Sequence, residues 1–338
     1  MKKILAGTAL LLCLTPMAQA AGKLNLYVWS ESISPALIEK FSKENDVAVH
    51  VDGYTSNEDL LTKLQAGASG YDISTPSQHF LKIMIDQGLL DNYGANTLKA
   101  YDNIDPRWRN QWWDETQGYS IPIAYGTAGF VVNTDLYKGP TDSLKYFFEP
   151  EGELAGKIAM LAQPDEVIGA AQLYLGVPFC TEDSAEMKKV LDLLMAQKPS
   201  VAVYSSDSIA SRLGSGEVSA HFWWDGEELK ARAGGAPFQM AMTKEGLVGW
   251  IDSMVIPKGA PNRENAIKFI EFMSEPENAT EQMNYYAHSS PMKTVTEKVV
   301  YTKEKAPELY PDVPVEFSRT CSPAAQDLVT RVWTQLLQ

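Results

Sequence analysis

The sequence predicts an α/β protein of two lobes, each a mostly parallel sheet flanked by helices, joined by strands that cross between them. Three observations carry that expectation. Short β-rich runs alternate with amphipathic helical stretches from Lys23 onward, which favours parallel strands covered on both faces. The chain of 338 residues exceeds what one hydrophobic core usually organises. No Pro/Gly-rich or low-complexity linker separates its halves, so the connections between lobes are expected to be ordered strands.

The first twenty residues are expected to be a leader. Lys2 and Lys3 form a basic start, Ile4 to Leu14 an apolar stretch too short to span a bilayer, and Ala18-Gln19-Ala20 an A-x-A cleavage signal. Cys13 follows Leu12, where lipid attachment would require a small residue, so no lipid anchor is expected. The mature protein is expected to begin near Ala21 and to reside in the periplasm.

After that leader, Leu24 to Trp29 is expected to be the first strand, and Ser34-Pro35 to open a helix with Leu37, Ile38 and Phe41 at helical spacing. Val47 to Val51 follows as a strand, and Asn57 is expected to cap a helix bearing Leu60, Leu61 and Leu64. Tyr71 to Ile73 is a third strand, followed by a helix through Ile83 to Ile85. The middle repeats the theme. Lys157–Leu161 and Val201–Tyr204 read as strands, and Asp165–Leu175 and Ala185–Met195 as helices. Ser205 to Ser208 is expected to cap the next helix, and Val218–Trp223 and Leu247–Pro257 are strand-like. A long helix starts near Asn262, and a last one covers Ala325–Leu337. Ala124–Asn133 and Trp250–Pro257 are the expected crossover strands. The lobes are then 21–127 plus 251–296 and 128–250 plus 297–338.

The formal charge is −14, and −16 once Lys2 and Lys3 are removed. That balance argues against nucleic acid or an anionic membrane as partner and suits a cationic ligand. Cys180 and Cys321 are the cysteines beyond the leader. Their spacing leaves both a bridge and two free thiols open. His50, His79, His221 and His288 lack metal-ligand spacing, so neither metal nor cofactor is expected. Hydrolase, P-loop, zincin and dinucleotide-binding motifs are absent from the sequence, and the protein is expected not to be an enzyme.

What recurs is tryptophan beside carboxylate at strand ends: Trp29-Ser30-Glu31, Trp223-Trp224-Asp225-Gly226-Glu227 and Trp250-Ile251-Asp252. Ligands of open α/β sheets gather beyond the carboxyl ends of strands. Indole faces pack on methylenes and attract ammonium groups, while carboxylates accept charge-assisted hydrogen bonds from them. The pairing therefore suits an alkyl polyamine. Singly, each Trp also fits a packing role, and Asp225 fits a helix cap. Trp108, Trp112 and Trp113 read as structural.

The run Leu26 to Glu31, Ser56-Asn57-Glu58, Gly70-Tyr71-Asp72 and Pro76-Ser77 resembles the opening of the bacterial spermidine/putrescine periplasmic binding proteins. The resemblance continues through Gly126 to Gly129, Glu166-Val167, Trp224-x-Gly226, Trp250 to Pro257, Pro276 to Ala279 and Tyr310-Pro311. It implies the two-lobed periplasmic binding protein fold, closing over its ligand by a hinge. It further implies that Trp29 and Trp250 sandwich an alkyl chain, with Trp224 as a further wall. Glu166 and Asp252 would bind nitrogens, and Ser30, Glu31 and Ser77 would line the first-lobe side.

Glu227 falls where putrescine-preferring members place an acid. Either Tyr286 or His288 fills a tyrosine position of the cleft. Ser32 and His79 replace aromatics, Gln163 replaces an acid, and Arg319 lies near a glutamine contact. The partners implied are a polyamine and the permease of an ABC importer, or alternatively a membrane signalling receptor, for a monomeric binding protein.

Overall fold

The computed structural model describes residues 22–67 and 70–338; the expected leader, 1–20, lies outside the described residues. The order begins β1 (Gly22–Trp29), α1 (Pro35–Asn45), β2 (Val47–Tyr54), α2 (Asn57–Gln65), β3 (Ile73–Ser74), α3 (Gln78–Asp86), α4 (Lys99–Asn103) and β4 (Ser120–Asn133). It continues with α5 (Lys145–Phe148), β5 (Ile158–Met160), α6 (Pro164–Leu175), α7 (Ser184–Gln197), β6 (Val201–Tyr204), α8 (Ile209–Gly214), β7 (Ala220–Trp224) and α9 (Asp225–Ala233). The last elements are β8 (Phe238–Met240), β9 (Leu247–Val255), α10 (Arg263–Met273), α11 (Pro276–Tyr286), β10 (Val315–Phe317) and α12 (Pro323–Leu337).

The strands form one path in the order β2-β1-β3-β9-β4-β7-β5-β6. β1 is parallel to β2 and β3, and β5 is parallel to β6 and β7, so each half carries a parallel set. β4 and β9 run antiparallel through the middle from Ser120↔Val255 to Ala128↔Val248. The far end of β4 then pairs with β7 and β8. Two long strands thus belong to both halves, and β10, lying parallel on the start of β9, leads the chain across a third time into α12.

The apolar side chains divide accordingly. One core gathers Phe130, Phe147, Ile158, Val190, Phe222 and Leu336. Leu24, Phe41, Ile73, Ile121, Phe269 and Ile270 form another, extended by Tyr54, Leu60, Leu81 and Ile251. α1 starts at Pro35, whose missing N–H costs nothing at a helix's first position.

Two local expectations are corrected. Ser56, not Asn57, caps α2, its Oγ accepting from Asp59 N at 3.1 Å. The side chain of Asn57 turns inward instead, where it grips Ser77. β3 spans only Ile73–Ser74; just ahead of it Asp72 N–H donates to Asn25 O, and its carboxylate accepts from the backbone N–H of Asn25 and Asn262.

Cys180 and Cys321 are bridged, with Cα atoms 5.0 Å apart across 141 residues of chain. The bridge ties the loop after α6 to the entrance of α12. Closing so long a loop restricts the unfolded chain, so Cys321→Ser is expected to lower the unfolding free energy by about 2–4 kcal/mol. Urea denaturation reads this directly, and an unchanged midpoint would remove the stabilising role.

Candidate functional site

Six element ends meet between the halves and enclose a cavity of about 370 Å³. The end of β1 brings Trp29, Ser30 and Glu31. Ser77 and His79 come from the start of α3, Asp165 and Glu166 from the start of α6, and Trp224 and Glu227 from the β7–α9 junction. β9 contributes Trp250 and Asp252, while Tyr286 and His288 come from the end of α11. Every site residue expected from the sequence lines this one cavity. The alternative between Tyr286 and His288 dissolves, since both do.

Backbone and side-chain contacts hold these ends in place. Gln78 Oε1 accepts from Ile251 N at 2.9 Å, and Ser253 N donates to Pro76 O at 3.1 Å, pinning α3 onto β9. Ser289 exchanges two backbone hydrogen bonds with Tyr125 of β4, which carries His288 to the cavity floor. Trp29 packs on Tyr54 at 4.7 Å between ring centres. Trp224 does more than form a wall: its Nε1 donates to Glu166 Oε1 at 2.8 Å and fixes that carboxylate.

Among the described residues seven carboxylates line the cavity, against one lysine, Lys230, and the histidines His79 and His288. Glu31, Glu58 and Asp207 are exposed at its mouth, whereas Asp252 is buried. Burial raises Glu166 to about 8, with Asp165, Asp252 and Glu227 adding like-charge repulsion. Burial likewise raises Asp252 to about 7, although Ser77 Oγ donates to its Oδ1 at 2.7 Å. Oε2 of Glu166 is buried and has no hydrogen-bond partner among the described residues, nor has Nε1 of Trp250. Such an acceptor is costly to leave unpaired in a dry site.

His288 is different. Burial disfavours its charge, but Glu227 and Asp225 outweigh that and lift it to about 9. Burial also pushes Glu227 up, yet His288 and Lys230 prevail and hold it below the ordinary carboxylate range.

Lys230 and the roles of several named residues were missed in the sequence. Asp225 is the first residue of α9 rather than its cap, and it anchors His288 and Thr127. Lys230, one turn further along α9, faces the cavity with no signal beyond its helical spacing. His79 bonds Asp165 at 3.1 Å across the two halves. Arg319 is not at the cavity: its guanidinium stacks over Trp112 at 5.3 Å, and Ser318 lines the wall instead. Among the described residues no three His, Cys, Asp or Glu side chains are placed to hold a metal ion.

The profile of the bacterial extracellular solute-binding proteins matches residues 36–308. The chain belongs to this family. A spermidine/putrescine-binding periplasmic protein of Haemophilus influenzae is 33% identical over 303 residues, 88% of this chain and 83% of the relative. The putrescine-binding periplasmic protein SpuD of Pseudomonas aeruginosa is 31% identical over 343 residues, 95% of this chain and 94% of the relative. Among solved structures, the spermidine/putrescine ABC transporter substrate-binding protein PotD of Streptococcus pneumoniae superposes with a TM-score of 0.80 at 26% identity, covering 94% and 99% of the two chains. As a member of this solute-binding family the protein is two-lobed and binds rather than converts its solute. No described helix is long and apolar enough to cross a membrane.

Proposed function

We propose that this solute-binding protein captures a polyamine of the putrescine or spermidine kind between its lobes, in the periplasm, and delivers it as a monomer to the permease of an ABC importer. The lobes that close on it are 21–127 plus 251–296 and 128–250 plus 297–338. One observation carries the reading: Glu166, with a buried and unpartnered oxygen, lies in the same cavity as the buried Asp252, with Trp29 and Trp250 in its walls. An ammonium group supplies the donor and the charge that both carboxylates lack, and the indoles take the methylenes. Ser30, Glu31 and Ser77 serve the first-lobe side, with Tyr286 completing the wall. The names of the relatives support the same ligand class.

Calorimetry of the protein against putrescine, cadaverine, spermidine and spermine tests this, with a neutral diol and an amino acid as controls. Micromolar or tighter binding is expected for at least one amine, about −8 kcal/mol, within reach of a few buried charge-assisted bonds and aromatic contacts. Binding of the controls alone, with every amine weaker than millimolar, would overturn the reading.

A further inference from the structure

His288 sits in a slot built for it. Its side chain is 1% exposed and lies between two carboxylates: Nδ1 is 2.8 Å from Asp225 Oδ1, and Nε2 is 3.2 Å from Glu227 Oε2. An imidazole with an acceptor at each nitrogen can satisfy both only by donating from both, which is its protonated form. Two glycines make room for the ring. A Cβ on Gly226 would lie 2.4 Å from it, and one on Gly126 3.0 Å. Trp250 and Tyr286 close the slot edge-on, at 4.7 and 4.4 Å between ring centres.

Asp225 is occupied as well. Its Oδ1 also accepts from Gly226 N, and its Oδ2 accepts from Thr127 N and Oγ1. Lys230 lines the cavity beside Glu227, its ammonium 5.2 Å from the Tyr286 ring. Around Glu227, two carboxylates therefore face two cations. Among the described residues Glu166 and Asp252 make no salt bridge: their hydrogen bonds come from the neutral donors Trp224 and Ser77.

We propose that His288 is a specificity-determining residue, a resident imidazolium that occupies Glu227 and so confines recognition of ligand charge to one ammonium group, at Glu166 and Asp252. The inference rests on the alkylamine reading above and deepens it: the favoured solute class is an alkylamine whose second polar end need carry no charge. A diamine still binds, but its second ammonium gains no free buried carboxylate at Glu227.

Calorimetry at pH 7.5 with 1,4-diaminobutane and its mono-N-acetyl derivative tests this. The native protein is expected to bind the two within about fivefold, because the second charge meets a compensated surface. His288→Gln keeps a donor for Asp225 and removes the positive charge, so the diamine should gain at least about tenfold over its acetylated form. Glu227→Gln leaves the imidazolium and Lys230 less compensated, so it should move the ratio modestly towards the acetylated ligand, with no large diamine preference to abolish.

A native preference for the diamine above about a hundredfold, abolished by Glu227→Gln, would assign Glu227 to the ligand and overturn the proposal. Should His288→Gln fail to fold, nitrogen-15 spectra of the native protein decide the question. Both ring nitrogens of His288 are expected to be protonated before and after amine addition, and a neutral ring in either state overturns it. If neither amine binds, the polyamine reading itself falls; if both bind and Glu227 sets the preference, only the role of His288 falls.

Discussion

Asp252→Asn is expected to weaken binding of the amine ligand by about 2–5 kcal/mol while leaving the fold intact. The substitution is nearly isosteric, and the Asn Oδ1 can still accept from Ser77 Oγ, which lies 2.7 Å from the present carboxylate. What it removes is the charge that a buried ammonium needs. The same change has the opposite effect on the ligand-free protein. Burial lifts the folded Asp252 to about 7, above its unfolded value, so the folded state holds the extra proton. Stability therefore falls as pH rises from the unfolded value through 7, and at pH 8 the ionised group is a penalty that Asn relieves. Weaker binding together with a raised melting temperature at pH 8 is the signature. Weaker binding with a lowered melting temperature would point to a structural role, and unchanged affinity would place Asp252 outside the ligand contacts.

β1, α10 and α12 follow from local pattern, and their observed bounds differ from expectation by few residues. The three tryptophan–acid pairings were visible because strand ends and ligand chemistry both leave short-range marks. Asp225 was legible only as a helix cap, since its partners are 63 and 98 positions away. His79 and Asp165 meet across 86 positions, and the disulfide across 141, with nothing in either neighbourhood to announce the other. These contacts are set by how β4 and β9 bring two lobes together, a tertiary fact to which local propensity is blind. The cap of α2 shows the reverse case. Ser56 and Asn57 are both good caps, and burial of Asn57 against Ser77 selected between them.

Amine binding is expected to strengthen as pH rises from 6 to about 8.5, by roughly two to three orders of magnitude in total. In the ligand-free protein burial holds Glu166 at about 8 and Asp252 at about 7, so at pH 6 both carry protons. An ammonium placed between them favours the ionised forms and lowers both values, which means that binding must expel those protons. Each group therefore adds up to one unit of slope to log K against pH below its free value, and none above it. At pH 6 nearly two protons should leave per amine bound, at pH 7.5 about one, and at pH 8.5 a small fraction. Alkylammonium groups remain charged through this range, so the trend belongs to the protein. His288 keeps its proton until pH approaches 9, where losing it also dissolves the ion pair with the already ionised Glu227. Calorimetry in buffers of different ionisation enthalpy counts the protons at each pH. An affinity flat from pH 6 to 8.5, with no proton release, would mean that Glu166 and Asp252 are already ionised or do not touch the ligand. Glu166→Gln separates those two cases: it should weaken binding if an ionised Glu166 contacts the ligand, and leave the affinity unchanged if the ligand binds elsewhere.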